Sequence, residues 1–239
     1  MNKKRNTNRK SKKLKKEIEG ISLISSTIVS GQYLDDILAQ IVKITADMFN
    51  SKICSIMLLD EKKDELVIKA TQSLSEEYKN KPPVKVGSSI SGLAVKEKKP
   101  IYVLDVKTDP KYMYPKIAEK EGLCSMLAVP MIMKNKVIGV LNIYTSEPYE
   151  FKDEEIKVIQ TIANQAALAI ENTRLFEELI VTKETLETKK LVDRAKSLLM
   201  KNKSMSEEEA HRFLQKKSMD LRKPIKEVAS AVILAFEEI

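Results

Sequence analysis

Hydrophobic residues change their spacing twice along the chain, and each spacing predicts a different kind of element. Over 14–49 they recur every three or four positions, as Ile18, Ile21 and Ile28 and then Leu34, Ile37, Leu38, Ile41, Ile44 and Met48, so this stretch is predicted to be helical. Gly31 is expected to divide it into two helices. From Ser51 onward the pattern becomes short β-rich runs, SKICSIMLLD, ELVIKATQS, PIYVLDV, CSMLAVPMIM and KVIGVLNIYT, with polar or Gly- and Pro-containing joints. MKNKV between the last two runs predicts a tight hairpin at Asn135. The inserts SISGLAVKEKK and YPKIAEKEG predict short helices, and the expected whole is an α/β (α+β) domain: a mainly antiparallel sheet with helices on its faces.

Helical spacing returns after Asp153, an expected N-cap followed by Glu154 and Glu155 in the first turn, where negative charge favours a helix start. Ile159, Ile162, Ala166, Ala169, Thr173, Phe176 and Ile180 alternate in steps of three and four, a coiled-coil seam that predicts a homodimer. Unbroken over 153–200, this connecting helix has about 48 residues and a length of about 72 Å. The seam weakens across VTKETLETKK, a candidate hinge, before Leu191, Ala195 and Leu198 restore the spacing. Ser206 and Glu209 form an S-x-x-E capping box ahead of Ala210, Phe213, Leu214 and Leu221. Pro224 suits the first turn of a last helix with Ile225, Val228, Ala229, Val232, Ile233 and Phe236 as its stripe, so the chain ends in an all-α three-helix bundle.

Composition narrows the function classes. The 239 residues, 43% of them hydrophobic, suffice for two domains. No apolar run approaches the roughly 18 to 20 residues that cross a bilayer, and the N-terminus has no hydrophobic stretch suited to a signal peptide, so a cytoplasmic protein without membrane partners is expected. Cys54 and Cys124 sit in β-branched-rich runs and read as reduced core thiols; the single His211 removes most His-based catalysis and metal ligation. Neither an enzyme nor a metal or cofactor site is expected. Gly87 and Gly92 do not fit a phosphate-binding loop and are expected to serve turns. The net charge of +8 divides as +7 over 1–20, −3 in the middle and +4 over 189–239. Residues 1–16 are expected to be a basic disordered tail, and a polyanion is expected to meet the ends of the chain.

Two resemblances give these segments a function. The stretch from roughly Tyr33 to Leu179, with VGSSISGLAVKEKKPIYVLDVKTDPKY and EGLCSMLAVPMIMKNKVIGVLNIYTSEPYEFKDEEIKVIQTIANQAALAIEN in that order, resembles the GAF family of small-molecule sensors and dimerisation modules. The stretch from about Leu186 to Phe236 resembles the ANTAR family through LVDRAKSLLMKNKSMSEEEAHRFLQKKSMDLRKPIKEVASAVI. That resemblance implies binding to paired stem-loops in nascent RNA, favouring an antiterminator over a terminator. His211 departs from the aromatic residue found there in many members. The expected domains are thus a GAF sensor over 17–178 and an ANTAR domain over 187–239, sharing the connecting helix, with the ligand of the sensor unassigned.

The cations of the second segment form the expected RNA site. Arg194 with Lys201, Lys196 with Lys203, and Arg212 with Lys216 are spaced by four or seven residues and share helix faces; Arg222, Lys223 and Lys226 surround the last turn. Together they are expected to make one continuous basic surface, with Arg194, Arg212, Arg222 and His211 as groups on which loop bases stack. An ordinary solvated face, partly neutralised by Glu207 and Glu208, competes with that reading. Two other functions also compete: a DNA-binding regulator, whose tight Gly-containing turn is missing, and a GAF-fold thiol reductase, for which the two cysteines are poorly placed.

Overall fold

The computed structural model describes residues 2–30, 33–73 and 75–237, the side chains of 2–10 and 237 excepted. The chain divides into two compact units, 1–173 and 174–239.

The first unit is built on a six-stranded antiparallel sheet in the order β3-β2-β1-β6-β5-β4. Its strands are β1 (Ile53–Asp60), β2 (Glu65–Thr71), β3 (Val84–Lys85), β4 (Ile101–Val103), β5 (Met126–Met133) and β6 (Lys136–Tyr144). The runs are apolar almost throughout because both faces of the central strands are covered. Cys54 and Ile56 of β1, Leu127, Val129 and Met131 of β5, and Leu141 and Ile143 of β6 face one core. That core is closed by α1 (Asn2–Val29), α2 (Leu34–Phe49) and the start of α6 (Asp153–Lys203). The alternate residues Ile53, Met57, Met126, Ala128, Val140 and Tyr144 face a second core under α3 (Glu76–Lys79), α4 (Ser89–Glu97) and α5 (Pro115–Lys120). The β5–β6 hairpin turns where expected: Lys134 and Asn135 both have positive φ, 47° and 66°, the backbone of a type I′ turn.

Several sequence expectations require correction. Residues 2–16 belong to helix α1 rather than to a disordered tail; Met1 lies outside the described residues. No Gly or Pro occurs before Gly20 and lysine and arginine are good helix formers, while Lys13 ion-pairs with Glu155 on α6. The break between α1 and α2 falls at 30–33, with Gly31 itself outside the described residues. Gly87 does serve a turn, at φ 81°, but Gly92 lies inside α4. A Cβ there would stand 2.2 Å from the Lys85 carbonyl oxygen, so Gly92 permits close packing of α4 on β3. Asp153 is the first residue of α6 and not its cap. The Lys152 carbonyl accepts the first helical bond, from Ile156 N–H at 2.9 Å, and the buried Glu155 carboxylate reaches back to Lys152 N–H at 2.9 Å.

The largest revision concerns α6. Ile159, Ile162 and Ala166 are 0% exposed and Ala169 is 3% exposed, all inside the first core of the same chain. They are therefore unavailable to a partner. Of the expected seam only Phe176, 62% exposed, and Ile180, 43% exposed, face solvent. Helix α6 also runs through the weak stretch to Lys203 without a break, because VTKETLETKK contains neither Gly nor Pro.

The second unit is a helical bundle of the end of α6, α7 (Glu207–Leu221) and α8 (Ile225–Glu237), around Val192, Ala195, Leu199, Ala210, Leu214, Val228, Ala229 and Ile233. Its capping box is complete: Glu209 N–H donates to Ser206 Oγ at 3.3 Å, and Ser206 N–H donates to the Glu209 carboxylate at 2.8 Å. Pro224 stands immediately before α8, and its carbonyl accepts from Glu227 and Val228 N–H.

Candidate RNA interface and the sensor interior

The bundle core fixes where each cation of the second unit points. On α6, Val192, Ala195 and Leu199 are buried, and successive residues are turned by about 100°. Arg194 and Lys201 therefore lie on the far side of the helix, exposed. Lys196, two residues from Arg194 and so about 160° away around the axis, flanks the core instead. The α6 cations thus occupy two faces, and the single continuous surface expected from spacing is divided. On α7, Arg212 and Lys216 share an outward exposed face, whereas His211 is half-buried. Arg222 and Lys223 form the turn into α8, with Arg222 in the left-handed conformation at φ 52°. Two bonds hold that turn: Lys223 N–H donates to the Ser218 carbonyl at 3.1 Å, and Ser218 Oγ donates to the Lys223 carbonyl at 2.5 Å.

Ion pairing sorts these cations further. The Lys196 side chain is 15% exposed and bonds two carboxylates, Asp193 and Glu207, each at 2.9 Å. It clamps α6 to the start of α7. Its hydrogen bonds to Asp193 and then to Glu207 raise its pKa above the ordinary lysine value. Asp193 is held below the usual carboxylate range chiefly by its bond from Lys196, with His211 contributing charge from α7. Lys226 reaches from α8 to Glu187 on α6 at 3.2 Å. Arg212 pairs with Glu208 at 3.3 Å and Lys223 with Glu227 at 3.4 Å, both on their own helical face, exposed, and so easily exchanged for phosphate. Lys201, Lys216 and Arg222 are exposed and have no carboxylate partner among the described residues. Lys203 lies 5.9 Å from the Phe213 ring.

The interior of the first unit holds a polar layer that sequence reasoning missed. Ser55 and Asn142 are cross-strand partners on β1 and β6, both 0% exposed. Ser55 Oγ and Tyr78 Oη are 3.0 Å apart, and Ser91 Oγ donates to Asn142 Oδ1 at 3.0 Å. The rings of Tyr78 and Tyr112 pack edge-on against Tyr144, with centroids 6.0 and 6.4 Å away. Burial raises the hydroxyl pKa of Tyr78 and Tyr144, and pushes that of Tyr112 up to about 12, so all three are protonated at neutral pH. Lys81 enters this layer from the segment before β3. No periodicity announces it, because YKNKPP reads as a solvated loop. Both cysteines are buried, and desolvation raises the Cys54 thiol pKa far above that of a reactive thiolate.

Comparison with known proteins agrees with the division of the chain. The GAF domain family matches residues 32–171 and the ANTAR domain family matches residues 181–233. Among relatives, the methyl sulfide methyltransferase-associated sensor of Methanosarcina acetivorans is 32% identical over 174 residues, covering 69% of this chain and 17% of that protein. The transcriptional regulatory protein PdtaR of Mycobacterium tuberculosis is 36% identical over 90 residues, covering 38% of this chain and 42% of that protein. The chain thus spans less than half the length of either relative. The solved GAF domain of a phosphoenolpyruvate-protein phosphotransferase from Coxiella burnetii superposes with a TM-score of 0.62 at 24% identity, over 68% of this chain and 96% of that one. The first of these matches covers more than half of the sequence, and the chain belongs to the GAF domain family, with an ANTAR domain following the GAF domain.

Proposed function

We propose that the protein is a homodimeric, cytoplasmic antitermination regulator that binds paired stem-loops in nascent RNA through its ANTAR domain when a small molecule reaches its GAF domain. The observation that carries this reading is the set of exposed cations left without a carboxylate partner, Lys201, Lys216 and Arg222, on a bundle that matches the ANTAR family. Arg194, Arg212 and Lys223 are further exposed cations of the same bundle, the last two in exposed ion pairs with Glu208 and Glu227 that phosphate can displace. Exposed cations attract phosphate oxygens, and arginine planes offer stacking surfaces for unpaired bases. Lys196 and Lys226 stabilise the bundle through their ion pairs and belong to its framework rather than to the contact. The likeness to a transcriptional regulatory protein supports the same role.

One observation favours a second reading, DNA binding: α7 and α8 are joined by only three residues, 222–224, as in a helix-turn-helix. The outward face of α8 opposes it, since Glu227, Ala231 and Leu234 are exposed there and carry no cation to read a groove. Electrophoretic titration at two salt concentrations separates the readings. Paired stem-loops are expected to bind more tightly than random RNA or duplex DNA. Equal affinity for all three removes the stem-loop reading.

A further inference from the structure

Among the described residues, one buried cation of the GAF domain has no counter-ion. Lys81 is 9% exposed, and its ammonium lies 4.1 Å from the ring centre of Tyr78, 5.5 Å from that of Tyr114 and 5.6 Å from that of Tyr144. Aromatic faces attract a cation but do not neutralise it. Among the described residues no carboxylate pairs with the Lys81 ammonium and no oxygen accepts a hydrogen bond from it. Two more groups in this layer are unmet: Asn142 Nδ2 and the Tyr112 hydroxyl, which adjoins Tyr144 but makes no hydrogen bond of normal geometry. Asn142 stands two residues before Tyr144 on β6, so both project from the same face of the sheet. Ammonium, amide NH2 and phenol are all donors. What the layer lacks is an acceptor carrying negative charge.

We propose that this layer binds the carboxylate of a small organic acid, with Lys81 Nζ as its counter-ion and Asn142 and Tyr112 as further donors, and that this acid is the signal of the GAF domain. The last clause rests on the sensor reading given above. A carboxylate fits better than a dianion such as sulfate, because a single buried cation balances a monoanion, and a dianion would keep a second charge unpaired in apolar surroundings. The flat tyrosine walls offer the carbon part of the acid a surface for burial. Tyr114 forms one side of the cage and is only half-buried; its hydroxyl donates to the Pro82 carbonyl at 2.8 Å, an exposed bond.

The site carries its own pH dependence. Burial pulls the Lys81 pKa down to about 7, while Tyr78, Tyr112, Tyr114 and Tyr144, the titratable groups around it, are all shifted upward. A carboxylate selects the protonated lysine, so affinity falls by about tenfold for each pH unit above that value. The chain has no Trp and 7 Tyr, so near-ultraviolet circular dichroism reports on tyrosine packing directly. The full-length protein is titrated with sodium acetate, sodium benzoate and sodium sulfate at constant ionic strength, at pH 6.5 and 8.5. A saturable change is expected with acetate or benzoate, at least tenfold weaker at the higher pH, and none with sulfate. Lys81→Met should abolish it while keeping a cooperative urea transition; Lys81→Arg should retain it and lose the pH dependence. Silence of the wild type towards both carboxylates, an unchanged response in Lys81→Met, or sulfate binding as tight as carboxylate overturns the proposal. If Lys81→Met does not fold, persistence of the wild-type pH dependence in Lys81→Arg overturns it instead. No RNA enters these titrations, so their failure leaves the stem-loop reading standing, and failure of stem-loop binding leaves this site standing.

Discussion

Lys196 and Lys216 look alike in the sequence and differ in what surrounds them. Lys196 clamps two helices through Asp193 and Glu207, whereas Lys216 stands on an exposed face without a carboxylate partner among the described residues. Lys216→Ala is therefore expected to leave the urea midpoint unchanged and to lower the magnitude of the salt slope of RNA binding by about 0.7 to 0.9, the contribution of one phosphate contact. Lys196→Ala should do the reverse, lowering stability with little change in slope. Identical slopes and midpoints for the two variants would show that ion pairing does not sort this surface. Lys81 makes a third case, decided by burial. The unfolded chain holds its proton to about pH 10, but the folded chain releases it near pH 7, so folding is penalised below that pH and relieved as pH rises. Cation–π attraction offsets part of the cost. Lys81→Met should thus be more stable than wild type by roughly 4 kcal/mol at pH 6, with the gap closing towards pH 10. Urea unfolding at both pH values checks this, and a gap that widens with pH contradicts the burial argument.

Among the elements, α6 shows what spacing conveys and what it leaves out. A stripe of Ile159, Ile162, Ala166 and Ala169 is equally suited to a second chain and to the sheet of its own chain, because both bury the same face of a helix. The structure gives it to the sheet, and beyond that stripe the exposed apolar positions are Leu175, Phe176, Leu179 and Ile180. Leu175, Leu179 and Leu186 fall at heptad spacing and replace the earlier seam as the proposed dimer face. Leu175→Asp should accordingly shift the protein towards monomer in light scattering while keeping its helical circular dichroism. Ile162→Asp should instead destabilise the fold by several kcal/mol, since it buries a charge in the core. A folded monomer from Ile162→Asp would restore the original seam. Strands, hairpin and capping box were legible because alternation, turn residues and the S-x-x-E spacing each act within a few positions. Ion pairing of Lys196 and Lys226 was not, since their partners Glu207 and Glu187 lie 11 and 39 residues away. The tyrosine layer was invisible for the same reason: Tyr78, Tyr112 and Tyr144 meet only through the sheet.

At the scale of the whole molecule, sensing requires that the acid and the RNA each discriminate between two states of one protein. A ligand that binds both states equally shifts nothing, however tightly it binds. If the acid site at Lys81 and the cations at Lys201, Lys216 and Arg222 are coupled, the factor by which saturating acid changes stem-loop affinity must equal the factor by which saturating RNA changes acid affinity. Coupling of the usual size, about 1 to 3 kcal/mol, makes that factor roughly 5 to 150. Stem-loop titrations with and without saturating benzoate give one value, and tyrosine dichroism titrations with and without RNA give the other. Lys81→Met should bind RNA as the acid-free wild type does and should not respond to benzoate. Acid binding that leaves RNA affinity unchanged would keep the pocket and remove the switch. Coupling that survives in Lys81→Met would move the sensed site elsewhere, because the cation that selects the carboxylate would then be dispensable to the response.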